Sequence, residues 1–151
     1  MTIMFCDLVA STERRARMGD DAFDEFNARF LTAIRETLAE HEGCEASNAG
    51  DGVMAVFGSS AADAVSCASA LHAAVAALDP ITPKLRIGIS SGEVAVDGEE
   101  YHGMPIVEAA RLQSKADPGQ TLASAVVKTL VGSRRSLRAR PGCRIISTKS
   151  R

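Results

Sequence analysis

Three features are missing from this 151-residue sequence, and each absence removes a class of protein. No apolar run approaches the roughly 20 residues a membrane helix needs, because Ser, His, Asp or Gly interrupts every candidate. The N-terminus also lacks a charged segment ahead of an apolar one, so the expectation is a cytoplasmic chain with no membrane partner. Cysteine is sparse: Cys6, Cys44, Cys67 and Cys143 form no C-x-x-C pair, which argues against a zinc site and makes buried free thiols the expectation for the first three. The sequence contains no G-x-x-x-x-G-K-[ST], no H-E-x-x-H, no G-x-S-x-G and no G-x-G-x-x-G. P-loop, zinc-protease, nucleophile-elbow and dinucleotide-fold chemistries are thereby excluded as motif-based readings.

What remains is an ordinary composition, 46% hydrophobic and 24% charged, at a length that suits one domain. The net charge of −2 conceals an asymmetry. Residues 1–133 hold 10 Lys and Arg against 19 Asp and Glu, whereas residues 134–151 hold 7 Lys and Arg and no acid. The domain is expected to span residues 1–132, with 133–151 a basic, flexible or truncated tail. A phosphate or nucleic-acid role for that tail is the weaker alternative, given its low apolar content.

Periodicity supplies the elements. TIMFCDLV is a short β-rich run that suits a buried strand stopping at Asp7. ASTERRARMG is a polar connector with a helical turn after Ser11 or Thr12. From Asp20 to His41 the residues Phe23, Phe26, Phe30, Ile34 and Leu38 recur at helical spacing, with Asp20 as N-cap and Gly43 as stop. GCEAS and VMAVF form a hairpin. An Ala-rich helix follows, with Val65, Leu71, Val75 and Leu78 on one side, capped by Ser59 or Ser60 and closed by Pro80. KLRIGISSGEVAVDG reads as a strand or a long hairpin ending at Asp97-Gly98, PIVEAARLQSKAD as a helix with Pro105 in its first turn, QTLAS as a strand, and SAVVKTLVG as a helix ending at Gly132. The order is that of an α+β, ferredoxin-like βαββαβ core with appended elements.

Two carboxylates stand out. Asp51, in NAGDGVMAVF, carries a strong type I′ turn signal, so by itself it is first a turn residue. Asp7 ends the first strand, and the topology lays that strand and the hairpin in one sheet. The two acids can then lie side by side with no Lys or Arg adjacent in sequence, an arrangement that asks for a cation between them. Mg²⁺ uses one or two protein carboxylates together with phosphate oxygens. Downstream of Asp7, LVAST offers consecutive N–H groups and two hydroxyls at a helix start, which suits phosphate.

Taken together, MFCDLVAST, NAGDGVMAVFG and LRIGISSGEVAVDGEEYHGMPIVEAARL resemble the nucleotidyl cyclase homology domain of class III adenylyl and guanylyl cyclases, over about residues 2–132 and in the family's order. VEAARL is particularly similar to a bacterial, largely actinobacterial branch. The resemblance implies a head-to-tail homodimer converting ATP or GTP to a 3′,5′-cyclic nucleotide and pyrophosphate. One protomer would offer Asp7, the Leu8 carbonyl and Asp51 to two Mg²⁺ or Mn²⁺ ions, and Val9, Ala10, Ser11 and Thr12 to the triphosphate. The partner protomer would read the base and stabilise the transition state.

On that partner side the sequence departs from the family pattern. Ser47 stands at the base-reading Lys position, Glu100 at the companion Asp, and Val107, which forms no side-chain hydrogen bond, at the ribose-orienting Asn. Arg111 is retained and suits phosphate charge. The C-terminal phosphate-contacting Lys of many members has no clear counterpart; Lys128 suits a solvated helix face. Glu108 is expected on a solvated face, Tyr101 and His102 as packing residues of a loop, and His41 and His72 show no partner in sequence. The expectation is a weak or noncanonical cyclase, with a dimerising, nucleotide-binding pseudocyclase as the alternative.

Overall fold

A computed structural model describes residues 1–58, 60–79 and 82–132. The expected basic tail, Cys143, the Ser59 cap and the Pro80 stop lie outside the described residues.

In chain order the elements are β1 (Thr2–Leu8), α1 (Ser11–Met18), α2 (Asp20–Glu40), β2 (Gly43–Ala49), β3 (Gly52–Phe57), α3 (Ala61–Ala76), β4 (Leu85–Ser91), β5 (Ala95–Asp97), β6 (Glu100–His102), α4 (Met104–Lys115), β7 (Thr121–Ala123) and α5 (Ala125–Gly132). The main sheet runs β2-β3-β1-β4-β7. It is antiparallel except for the β4–β7 pair. Its first four strands, with α1, α2 and α3, form the ferredoxin-like core expected from the order of elements.

Alternation sorts the strands onto two faces. Met4, Cys6, Leu8, Leu85, Ile87 and Ile89 point into one large core, where they meet Phe23, Phe26, Phe30, Ile34 and Leu38 of α2 and Ala64, Val65, Ala68, Leu71 and Val75 of α3. The other face is smaller and carries Ile3, Phe5, Met54 and Val56 under α4. α4 lies close to β4 because Gly88 has no side chain: a Cβ there would stand 2.1 Å from the Ala109 carbonyl oxygen and 2.3 Å from the Gln113 nitrogen.

Several local expectations change. The hairpin turn is Gly50-Asp51, one residue earlier than a turn centred on Asp51-Gly52, since Ala49 pairs with Gly52. Gly50 alone has positive φ, the II′ pattern rather than I′. α2 starts after Gly19, so Asp20 lies in its first turn instead of capping it. Gly43 does not stop α2. Glu42 takes the left-handed conformation with φ 59°, and Gly43 begins β2, where a Cβ would lie 2.6 Å from the Phe57 ring. Ser60 is the α3 cap, accepting the Ala62 N–H at 3.1 Å. The run 84–98 is not one hairpin: β4 ends at Ser91, and β5 pairs with β6 in a separate two-stranded sheet. Cys6 and Cys67 are buried as expected, but Cys44 on the edge strand β2 is exposed. Among the described residues no helix is long and apolar enough to cross a membrane.

Candidate active site

The end of β1 and the β2–β3 turn meet through the backbone. Asp7 is paired with Gly52, and the Leu8 N–H donates to the Asp51 carbonyl at 3.2 Å. Val9 is tied on its other side, its N–H donating to the Lys84 carbonyl at 2.9 Å. These contacts set the Asp7 and Asp51 side chains close enough to repel. The Asp7 carboxyl is held above its ordinary value of 3.8, by partial burial first and by the Asp51 charge second.

Two neighbours that sequence reasoning missed act against that rise. Arg86, directly across from Asp7 in the β1–β4 register, places a positive charge beside it, and the Gln113 side chain hydrogen-bonds the carboxylate. Nε of Arg86 is buried without a hydrogen-bond partner. Arg86 was legible in principle, as the polar member of a strand whose alternate residues Leu85, Ile87 and Ile89 are core. Gln113 was not, because only the docking of α4 over Gly88 brings it to β1.

The phosphate-type turn is sharply defined. Ala10 precedes α1 with φ 58° and ψ 37°, and it has no polar side chain with which to cap the helix, so the first N–H groups of α1 stay available to an anion. Ser11, Thr12, Gly50 and Asp51 line a cavity of about 210 Å³ together with Arg15, Phe23 and Asn27. A partly buried acid pair next to hydroxyls and unfilled N–H groups is a donor set for a hard cation that also carries phosphate. Among the described residues no cluster of three or more His, Cys, Asp or Glu offers a self-contained metal cage. The arrangement fits an ion that needs phosphate oxygens to complete its shell.

The remaining candidates do not join this cluster within one chain. Ser47 is exposed on β2, brought opposite Met54 by a bulge at Ala46. Glu100 is exposed on the β5–β6 hairpin, 3.4 Å from Nε2 of His102. Val107 and Arg111 lie four residues apart on the outward face of α4, and both are exposed. Among the described residues none of these four bonds to Asp7 or Asp51.

Other expectations resolve individually. Tyr101 packs against the smaller core, His102 is exposed, and Lys128 lies on an exposed face of α5. Glu108 is not simply solvated, since it accepts the hydroxyl of the fully buried Ser90 at 2.7 Å. His72 gains a partner, Oγ1 of Thr121 at 2.9 Å, and His41 caps the end of α2 through its backbone.

Comparison with known proteins agrees with this architecture. No family model matches the chain. It is 36% identical over 97 residues to a Rhizobium meliloti protein named "Putative adenylate cyclase 3", the match covering 61% of this chain and 16% of that protein. It is 32% identical over 136 residues to an uncharacterized Mycobacterium tuberculosis protein, covering 89% of this chain and 46% of the relative. The chain thus spans less than half the length of these curated relatives. Among solved structures it superposes on the guanylyl cyclase Cya2 with a TM-score of 0.78 at 19% identity, covering 93% of this chain and 85% of the other. It superposes on the adenylyl cyclase CyaB from P. aeruginosa with a TM-score of 0.74 at 20% identity, covering 87% and 80%. The fold is that of the class III adenylyl and guanylyl cyclase domains.

Proposed function

We propose that the chain is a nucleotidyl cyclase module that closes ATP or GTP to the 3′,5′-cyclic monophosphate in a homodimer, at a low rate. The observation that carries this reading is the convergence of Asp7 and Asp51 beside the uncapped start of α1. Asp7, Asp51 and the Leu8 carbonyl would hold two Mg²⁺ or Mn²⁺ ions. Bound there, the ions supply charge neutralisation of the triphosphate and acidification of the attacking hydroxyl.

The protein's own groups orient the substrate. The first N–H groups of α1 and the hydroxyls of Ser11 and Thr12 receive the triphosphate, the expected Val9 N–H being taken up by the Lys84 carbonyl, while Arg86 balances charge beside Asp7. The ribose 3′-hydroxyl gives its proton to solvent water, its oxygen bonds to the α-phosphorus as the bond from that phosphorus to the α–β bridging oxygen breaks, and pyrophosphate leaves with that oxygen. Arg111 of the second protomer would face the phosphates, and Ser47 and Glu100 would line the base. The outward orientation of Val107 and Arg111 supports completion of the site from another copy.

Val107 favours a second reading, a nucleotide-binding pseudocyclase. Its isopropyl group cannot orient a ribose, and losing one preorganised donor commonly costs about 10² to 10³ in rate. Mass-spectrometric product analysis after long incubation with ATP, GTP and Mn²⁺ separates the two. Cyclic monophosphate that disappears in Asp51→Ala establishes the cyclase; metal-dependent triphosphate binding without product establishes the pseudocyclase.

A further inference from the structure

Arg14 is only 6% exposed, although it lies in the short helix that opens at the phosphate-type turn. A guanidinium leaves water only against strong compensation. Its Nη1 donates to Oδ2 of Asp79 at 2.6 Å, and its Cζ lies 4.8 Å from the centroid of the Phe26 ring. Asp79 belongs to the connection between α3 and β4, and that connection grips the same region twice more. The Lys84 carbonyl accepts the Val9 N–H, and the Leu78 carbonyl accepts Nη2 of Arg29 from α2 at 2.5 Å.

Between Val9 and Arg14 stands Ala10, left-handed at φ 58°, a conformation that a residue with a Cβ rarely adopts and holds only against strain. The Ala10 carbonyl accepts the Arg14 N–H at 2.8 Å. The strained residue is therefore bracketed by a backbone bond at Val9 and a buried ion pair at Arg14, both leading to one connection.

We propose that Arg14 and Asp79 are positioning residues that hold the Ala10 turn in its left-handed form, so that the first N–H groups of α1 point at a triphosphate. The inference rests on the reading of this turn given under the proposed function. Neither side chain touches the nucleotide; the effect passes through the backbone. The pair links the α3–β4 connection to triphosphate affinity without altering the carboxylates.

Asp79→Asn, Asp79→Glu and Arg14→Met test this with two readouts on the full chain: equilibrium binding of ATP and GTP in Mn²⁺, and deuterium exchange of the amides of residues 10–13. In Asp79→Asn and Arg14→Met, triphosphate binding is expected to weaken about tenfold, the scale of one misaligned charge-assisted bond, with the turn amides exchanging faster. Mn²⁺ affinity should be unchanged, and Asp79→Glu should restore triphosphate affinity. Variants that melt lower yet keep wild-type triphosphate affinity and wild-type exchange at the turn would overturn the inference and leave the pair a stabilising contact only. A wild-type chain that binds neither triphosphate would overturn the functional reading itself, and the inference with it.

Discussion

Partial burial, and after it the Asp51 charge, hold the Asp7 carboxyl above its ordinary value of 3.8. Because its folded pKa lies above the unfolded value of 3.8, the folded state holds that proton more tightly. The stability this gives is present in acid and lost as pH rises through the folded pKa. Asp7→Asn is therefore expected to melt higher than the wild type in metal-free buffer at pH 7 and to lose stabilisation by Mn²⁺; a lower melting temperature in chelator would contradict this. His72 has the opposite dependence. Burial lowers its pKa below 6.5, so the neutral ring stabilises the fold above that pH, and the contribution is lost as pH falls through 6.5 toward the folded value. Thermal melts between pH 7.5 and 5 should decline more steeply for the wild type than for His72→Gln. The buried thiols of Cys6 and Cys67 are pushed up to about 12, which keeps them protonated packing groups.

At the scale of elements, the helical stripe on α2 and the alternation on β1 and β4 were readable because burial repeats at 3.6 and 2 residues. The turn register, the role of Gly43 and the split of the 84–98 run were not. Each depends on a contact that local periodicity does not report: the pairing of Ala49 with Gly52 for the turn, the Phe57 ring for Gly43, and the smaller core that takes Val94 and Tyr101 for the β5–β6 hairpin. Gly88 shows how such a contact sets the site. Gly88→Ala should lift α4 off β4 and cost about 1–3 kcal/mol, as overpacked cores do. It should also loosen Gln113 from Asp7. Chemical denaturation measures the first effect and Mn²⁺ affinity the second.

At the scale of the whole molecule, the outward face of α4 presents Met104, 70% exposed, and Val107, 42% exposed, beside the half-covered residues Tyr101 and Ile106. If this face meets a second copy in the proposed homodimer, Met104→Asp should shift sedimentation toward monomer without lowering the melting temperature. Val107→Asn should raise the rate of cyclic nucleotide formation by about 10² to 10³, the value of one restored donor, if ribose orientation limits turnover. An unchanged rate in Val107→Asn would place the limit elsewhere, with Ser47 the next position to restore.

The sequence by itself determined the ferredoxin-like order, the core stripes and the Asp7, Asp51 and LVAST candidates, because periodicity and turn chemistry are local properties of the chain. Only the tertiary structure decided what surrounds those candidates. Arg86 and Gln113 beside Asp7, and Asp79 beneath Arg14, come from strands, helices and connections far away in sequence. Charges and hydrogen bonds act across a few ångströms of space, and those distances exist only once the sheet is paired and α4 has docked.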